Sequence, residues 1–253
     1  MKRIDSRLDA ALSDLEANPE STPLEIALKL ATLIPPLAPV LAPPDALREH
    51  FSTRNKVQQI VCMLRTFNAE FQALQQECAL EAHSHLLIDS YLNSPRFTDA
   101  VIAAAEETTR TANADKILRF GLVLANGCDP KIDVSDDEDL SSFIRDVSQL
   151  SELDLRALQI VTSTARIDIL LESDVPDSTD NMLGQHLIAA AAREKLEQDD
   201  FYSHAYRLVG FGFLLEAPSI GGRRNARDLR FVPTRRGRKF LALLKKRTAA
   251  PND

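Results

Sequence analysis

Five histidines, three cysteines and several acidic runs are the side chains of this 253-residue chain best suited to chemistry, and their spacing decides which chemistry is open to them. His83 and His85 come nearest to a metal pair. Two residues apart on a helix they diverge by about 200°, whereas helical ligands share a face at i, i+4. His85 and Asp89 do share a face, the spacing of a carboxylate–imidazole contact, and read as a polar pair on a helix surface. His50, His186 and His204 stand alone in the sequence. The acidic run Asp133, Asp136, Asp137, Glu138 and Asp139 lacks the alternating carboxylates, central glycine and terminal glutamate of a calcium loop. Ser135-Asp136-Asp137-Glu138 reads instead as a helix-capping box, its charges complementing the dipole of the first turn.

Other catalytic spacings are missing. The chain has no GxxxxGK phosphate loop, no GxSxG elbow and no HExxH. Gly210-x-Gly212 lacks the third glycine of a dinucleotide fingerprint, because position 215 is leucine. No histidine stands at the arginine-x4–6-histidine spacing of helical toxin ribonucleases. Cys62, Cys78 and Cys128 form no CxxC pair and, being three, cannot all join in disulfides, which suits a reducing cytoplasm. The expectation is a non-enzymatic protein with no catalytic residue, metal ligand or cofactor.

Charge points to binding instead. Overall, 37 acidic side chains outnumber 30 basic ones, for a net charge of −7. Residues 201–253 reverse this with twelve basic and three acidic side chains, a balance of +9 that leaves −16 on the rest. Segregation of this size concerns interaction faces and solubility, not fold. Arg223, Arg224 and Arg227 crowd a turn, and Arg235, Arg236, Arg238 and Lys239 crowd the start of the last helix. With Tyr206 and Arg207 on the preceding helix, these are the nucleic-acid-binding candidates, the arginines suiting phosphate contacts. Asp199 and Asp200 just before them argue against a major-groove reader.

The elements that would position these groups are nearly all helical. Glycines are few, while alanine, leucine, glutamate and arginine abound. Val57, Ile60, Leu64, Phe67, Phe71, Leu74 and Cys78 recur at alternating spacings of three and four, which predicts one long helix with a continuous apolar stripe. That stripe fits either an internal core or a seam with a partner protein or a second copy. Before it, Leu8, Leu12 and Leu15 suggest a short amphipathic helix, and Thr22-Pro23-Leu24-Glu25 a capped one. The uncharged stretch Leu30–Pro44 is too short and too rich in proline to span a membrane. Further helices are expected after Ser94-Pro95, Asn113, the Ser135 box and Ser151. Strand-like runs at Phe213-Leu214-Leu215 and Leu229-Arg230-Phe231-Val232 flank a glycine-bearing turn, and Thr234 caps a last helix.

Helix, helix, helix, hairpin, helix is the order of a winged-helix module. Arg207–Leu214 resembles the end of the third helix of that superfamily running into its first wing strand. Phe231–Leu241 resembles the second strand passing into a closing helix, with Pro-Thr in place of the more usual Thr-Pro. The resemblance covers roughly residues 151–247 and implies a DNA-binding or protein-docking module. A second resemblance, through Ile117–Gly127 and Phe143–Val161, is to uncharacterised bacterial helical proteins grouped as an abortive-infection alpha family. It implies a link to phage defence and carries no site residues.

The expected architecture is mainly α. An N-terminal helical domain (1–150) built around one long helix precedes a winged-helix-like module (151–248), and residues 249–253 form a disordered tail. The expected role is a cytoplasmic binding or regulatory protein, with a DNA-binding transcriptional regulator as the alternative.

Overall fold

The computed structural model describes residues 54–78, 84–92, 94–132, 139–171, 180–217 and 230–247. Among them the chain is mainly α, with nine helices and one two-stranded antiparallel sheet near the C-terminus. Two compact units arise, one of residues 1–148 with 243–253 and one of residues 149–242. Several expectations lie outside the described residues: the helices before residue 54, the proline-rich stretch, His50, His83, the Ser135 box with Asp133–Glu138, and Arg223, Arg224 and Arg227. No described helix is long and apolar enough to cross a membrane.

The first unit contains α1 (Arg54–Cys78), α2 (Ser84–Leu92), α3 (Pro95–Arg110), α4 (Ala114–Gly127) and α5 (Leu140–Gln149), whose last residue falls in the second unit. Ser94 and Asn113 open α3 and α4 by accepting hydrogen bonds from the amides of Phe97 and Lys116, as their sequence contexts predict. The α1 stripe is core: Ile60, Leu64, Phe67, Phe71, Leu74 and Cys78 are all buried, with Met63 beside them. Phe67 stacks on Phe71 at 5.4 Å and meets Phe97 of α3 at 5.9 Å. These side chains are taken up by the chain's own interior; the side chain of Val57, which opens the stripe, lies outside the described residues.

The tightest contact in this core is between α1 and α4. A Cβ at Gly121 would lie 2.6 Å from the Met63 carbonyl oxygen and 2.8 Å from Thr66 Cβ. Real side chains do not approach so closely, so the helix crossing requires glycine here. From Phe120 to Gly127 every residue of α4 is buried, as a helix apolar on nearly all sides demands.

The second unit contains α6 (Glu152–Leu171), α7 (Asp180–Arg193), α8 (Gln198–Gly210), β1 (Leu214–Ala217), β2 (Arg230–Pro233) and α9 (Arg235–Leu243), whose last residue returns to the first unit. The strands pair with Leu214 opposite Pro233 and Leu215 opposite Val232. Helix α6 packs on α7, α8 and β2, and β1 lies against α8. Phe201, Leu208, Phe213, Leu214, Phe231 and Phe240 fill the core between them. Both α7 and α8 end in a reversed turn in which an amide bonds back five residues, Leu196 to Ala191 and Phe213 to Leu208. The left-handed position is Gly212 in one (φ 73°) and Lys195 in the other (φ 59°). Thr234 then closes the hairpin. Its hydroxyl donates to the carbonyls of Gly212 (2.7 Å) and Phe213 (3.1 Å) and accepts from the Gly237 amide (2.9 Å).

The C-terminal boundary differs from the sequence reading, which placed residues up to 248 in the second module. Residues from Leu243 onward belong to the first unit, because Asn126 of α4 donates to the carbonyls of Leu243 (2.9 Å) and Lys245 (2.8 Å).

Three stability outcomes follow from these contacts, each read by chemical denaturation. Phe67→Ser with Phe71→Ser should unfold the chain instead of producing a folded monomer, since each buried phenylalanine contributes about 3–5 kcal/mol. A soluble monomer with unchanged helical circular dichroism would overturn the core assignment. Gly121→Ala should destabilise by about 1–3 kcal/mol through the forced shift of α1. Lys195→Gly should instead stabilise by about 0.5–1 kcal/mol, because relief of left-handed strain exceeds the added unfolded-state entropy.

Candidate functional site

The densest polar cluster among the described residues of the second unit lies where α6 begins. Ser151 and Asp154 cap that helix reciprocally. The Asp154 amide donates to Ser151 Oγ at 3.2 Å, and Asp154 Oδ2 accepts from the Ser151 amide at 2.7 Å and its hydroxyl at 2.8 Å. This is a capping box in which aspartate stands where glutamate is usual. The Asp154 side chain is fully buried, yet it faces two basic residues of α8: His204 Nδ1 lies 2.7 Å from Oδ1 and Arg207 Nη1 3.4 Å from Oδ2. Burial alone would raise the Asp154 pKa. The bond from the Ser151 amide, then those from His204 and the Ser151 hydroxyl, and finally the Arg207 charge outweigh burial and hold it below the usual carboxylate value. An ionised carboxylate can only accept, so the imidazole carries a proton on Nδ1 and is fixed in orientation.

An acid-oriented imidazole is half of a nucleophile–base–acid set. The other half is missing among the described residues, where His204 makes no further hydrogen bond to a hydroxyl or thiol. No group of three described His, Cys, Asp or Glu residues could hold a metal ion. Burial pushes the Cys128 thiol far up, making it an unreactive core group. What the cluster does in the fold is clamp α8 on α6, through the contacts of Asp154 with His204 and Arg207. His85 and Asp89 both fall on α2.

Each nucleic-acid candidate has a distinct placement. Arg207 is bound within the chain: besides Asp154, its Nη2 donates to the Gln149 carbonyl at 2.8 Å, and its guanidinium lies 6.0 Å from the Phe211 ring. Phe211 stacks on Phe213 (6.1 Å, 8°), and Arg236 of α9 lies 5.3 Å from the Phe213 ring. Arg207 and Arg236 are thus brought together as two cations on one pair of stacked rings. Tyr206 is 42 % exposed and sets its ring edge-to-face on Phe231 at 5.3 Å. Arg235 and Arg238 are exposed, and Arg236 and Lys239 half-buried, on the first turns of α9. Gly237 in their midst is buried, its Cβ position 2.2 Å from the Phe213 carbonyl oxygen, so α9 starts flush against that backbone.

The exposed face of α8 comprises Gln198, Asp199, Asp200, Ser203, Tyr206, Arg207 and Gly210, with Glu197 exposed just before it. A side chain at Gly210 would meet nothing within 4 Å. Exposed Leu215 (57 %) of β1 lies opposite Val232 of β2. The Asp154–His204 pairing escaped the sequence reading because its members stand fifty positions apart. Ser151 is legible as the cap of this helix, but nothing in the pattern singles out Asp154 or links it to α8. Comparison with family models, with curated proteins and with solved structures finds no match to this chain.

The clamp should show itself in acid. A carboxyl whose native pKa is depressed contributes stability that is complete above its unfolded value, near pH 4, and fades as pH falls through the native value. Asp154→Ala should cost about 1.5–3 kcal/mol at pH 7. The difference in melting temperature from the parent chain should narrow steadily below about pH 4. A gap that stays constant into strong acid would show that the loss comes from packing alone.

Proposed function

We propose that this chain is a non-enzymatic binding and regulatory protein whose second unit is a protein-interaction module of winged-helix type. Support for the module comes from the order α6, α7, α8, hairpin, α9, together with the Arg207–Leu214 and Phe231–Leu241 fragments. The observation that carries the choice of partner is the exposed face of α8. In a duplex-reading module the first turns of this helix approach the bases between two phosphate walls. Here those turns present Glu197, Asp199 and Asp200 to solvent, and like charge opposes such an approach. The helix's one arginine is held by Asp154 and the Gln149 carbonyl. What remains outward is Gln198, Ser203, Tyr206 and Gly210, an uncharged face with one tyrosine, a residue type enriched at protein interfaces. The resemblance of Ile117–Gly127 and Phe143–Val161 to the abortive-infection alpha family is what supports a role in phage defence.

The second reading, a DNA-binding regulator, rests on the exposed cations Arg235 and Arg238 at the start of α9 and on the basic sequence run of Arg223, Arg224 and Arg227. Salt dependence separates the two, because each neutralised phosphate contributes a slope of about −0.9. Duplex DNA of random sequence should bind the full chain weakly, and Arg235→Glu with Arg238→Glu should leave the slope nearly unchanged. A steep slope that flattens by about two units in this variant would establish DNA contact in place of protein docking. On the docking reading, a photo-crosslinking side chain at position 206 should capture a discrete polypeptide in cells, and Ser203→Arg should abolish that capture. Capture of nucleic acid would overturn it.

A further inference from the structure

The C-terminal segment of the first unit delivers an arginine into a prepared set of acceptors. Arg247 Nε donates to Asn126 Oδ1 at 3.0 Å, its Nη2 to Asp129 Oδ2 at 2.5 Å, and its Nη1 to Glu77 Oε2. Its backbone amide donates to Glu70 Oε2 at 2.8 Å. Every nitrogen of the guanidinium thus has its own acceptor, drawn from α1, from α4 and from the turn that follows α4. A single ammonium could not reproduce this arrangement, because its donors diverge from one atom.

The acceptors are positioned independently of the guanidinium. Asn126, 1 % exposed, is oriented by its own Nδ2 donations to the Leu243 and Lys245 carbonyls, which leaves Oδ1 for the arginine. Asp129, 8 % exposed, is oriented through its other oxygen, which accepts from the Lys131 amide at 2.8 Å. Glu77 at the outer side is 52 % exposed, whereas the Arg247 side chain it meets is 11 % exposed, so water reaches the cage at its Glu77 edge. Arg247 is the cation paired with the Asp129 carboxylate among the described residues, and leaving that largely buried carboxylate without it would be a costly state that a planar cation relieves.

We propose that this cage is an arginine-binding site of the first unit, filled in cis by Arg247 and able to accept the guanidinium of an arginine-bearing peptide in trans. The site is distinct from the α8 face and does not depend on that reading.

Full-length Arg247→Ala tests this, since it empties the cage while the backbone carbonyls that hold Asn126 remain. The probe is N-acetyl-arginine methylamide at millimolar concentration. The variant should melt below the parent chain and regain about 2–4 °C, saturably, with this probe. N-acetyl-lysine methylamide and sodium chloride at equal concentration should give no such recovery, and Arg247→Ala with Asp129→Asn should respond to none of the three. Absence of a saturable shift, or an equal shift with the lysine compound, overturns the proposal. Should Arg247→Ala fail to fold, Arg247→Lys keeps one charge without the fork and is read in the same way. Hydrogen exchange on the unaltered chain supplies a measure independent of either variant. The arginine compound, and not the lysine one, should speed exchange of the Arg247 amide as it displaces the segment, and unchanged exchange would likewise overturn the site.

Discussion

Burial of the second half of α4 is the constraint around which the first unit is organised. A helix with apolar residues on almost every side must be covered on every side, and α1 and α3 supply much of that cover. The close approach at Gly121 brings the α1 backbone against α4, and these two helices pack on each other more extensively than any other pair of helices described. Asn126, the one strongly polar side chain in this buried stretch, cannot be left without partners at such depth. It finds them in the Leu243 and Lys245 carbonyls and in Arg247, and so draws the end of the chain back to the unit where the described fold begins.

Lys116, one turn into the same helix, donates to the Ser148 carbonyl. The two points at which the chain leaves and rejoins the first unit are therefore both held by α4, through groups near its opposite ends. The second unit is an insertion in the sequence of the first, with its boundaries set by hydrogen bonds to one buried helix.

Electrostatics in the second unit follow another logic. The basic excess after residue 200 invites a nucleic-acid reading, and two of its arginines are engaged locally. Arg207 neutralises a buried carboxylate and lies near a ring, and Arg236 lies over the next ring in the stack. Four cations at the start of α9 stand at the positive end of its dipole, an unfavourable arrangement for the helix itself. That helix start is fixed by the Thr234 hydroxyl and by the tight seat of Gly237 on Phe213 instead. Local geometry, not charge, decides where α9 begins.

The mainly helical class, the order of elements in the second unit and the α1 stripe were all legible in the sequence, because each depends on neighbours three or four positions apart. So were the caps at Ser94, Asn113, Ser151 and Thr234, where a side chain satisfies amides within its own first turn. Whether the α1 stripe faced its own chain or another was not legible, since an apolar row is equally suited to either. Tertiary structure decided that through the glycine crossing at Gly121. It also decided the pairing of Asp154 with His204 and the capture of Arg247 by Asn126, Asp129 and Glu77. Those contacts join positions 50 to 170 residues apart. Lone polar residues carry no periodic signal, and only the packed chain determines which buried acceptor each donor must satisfy.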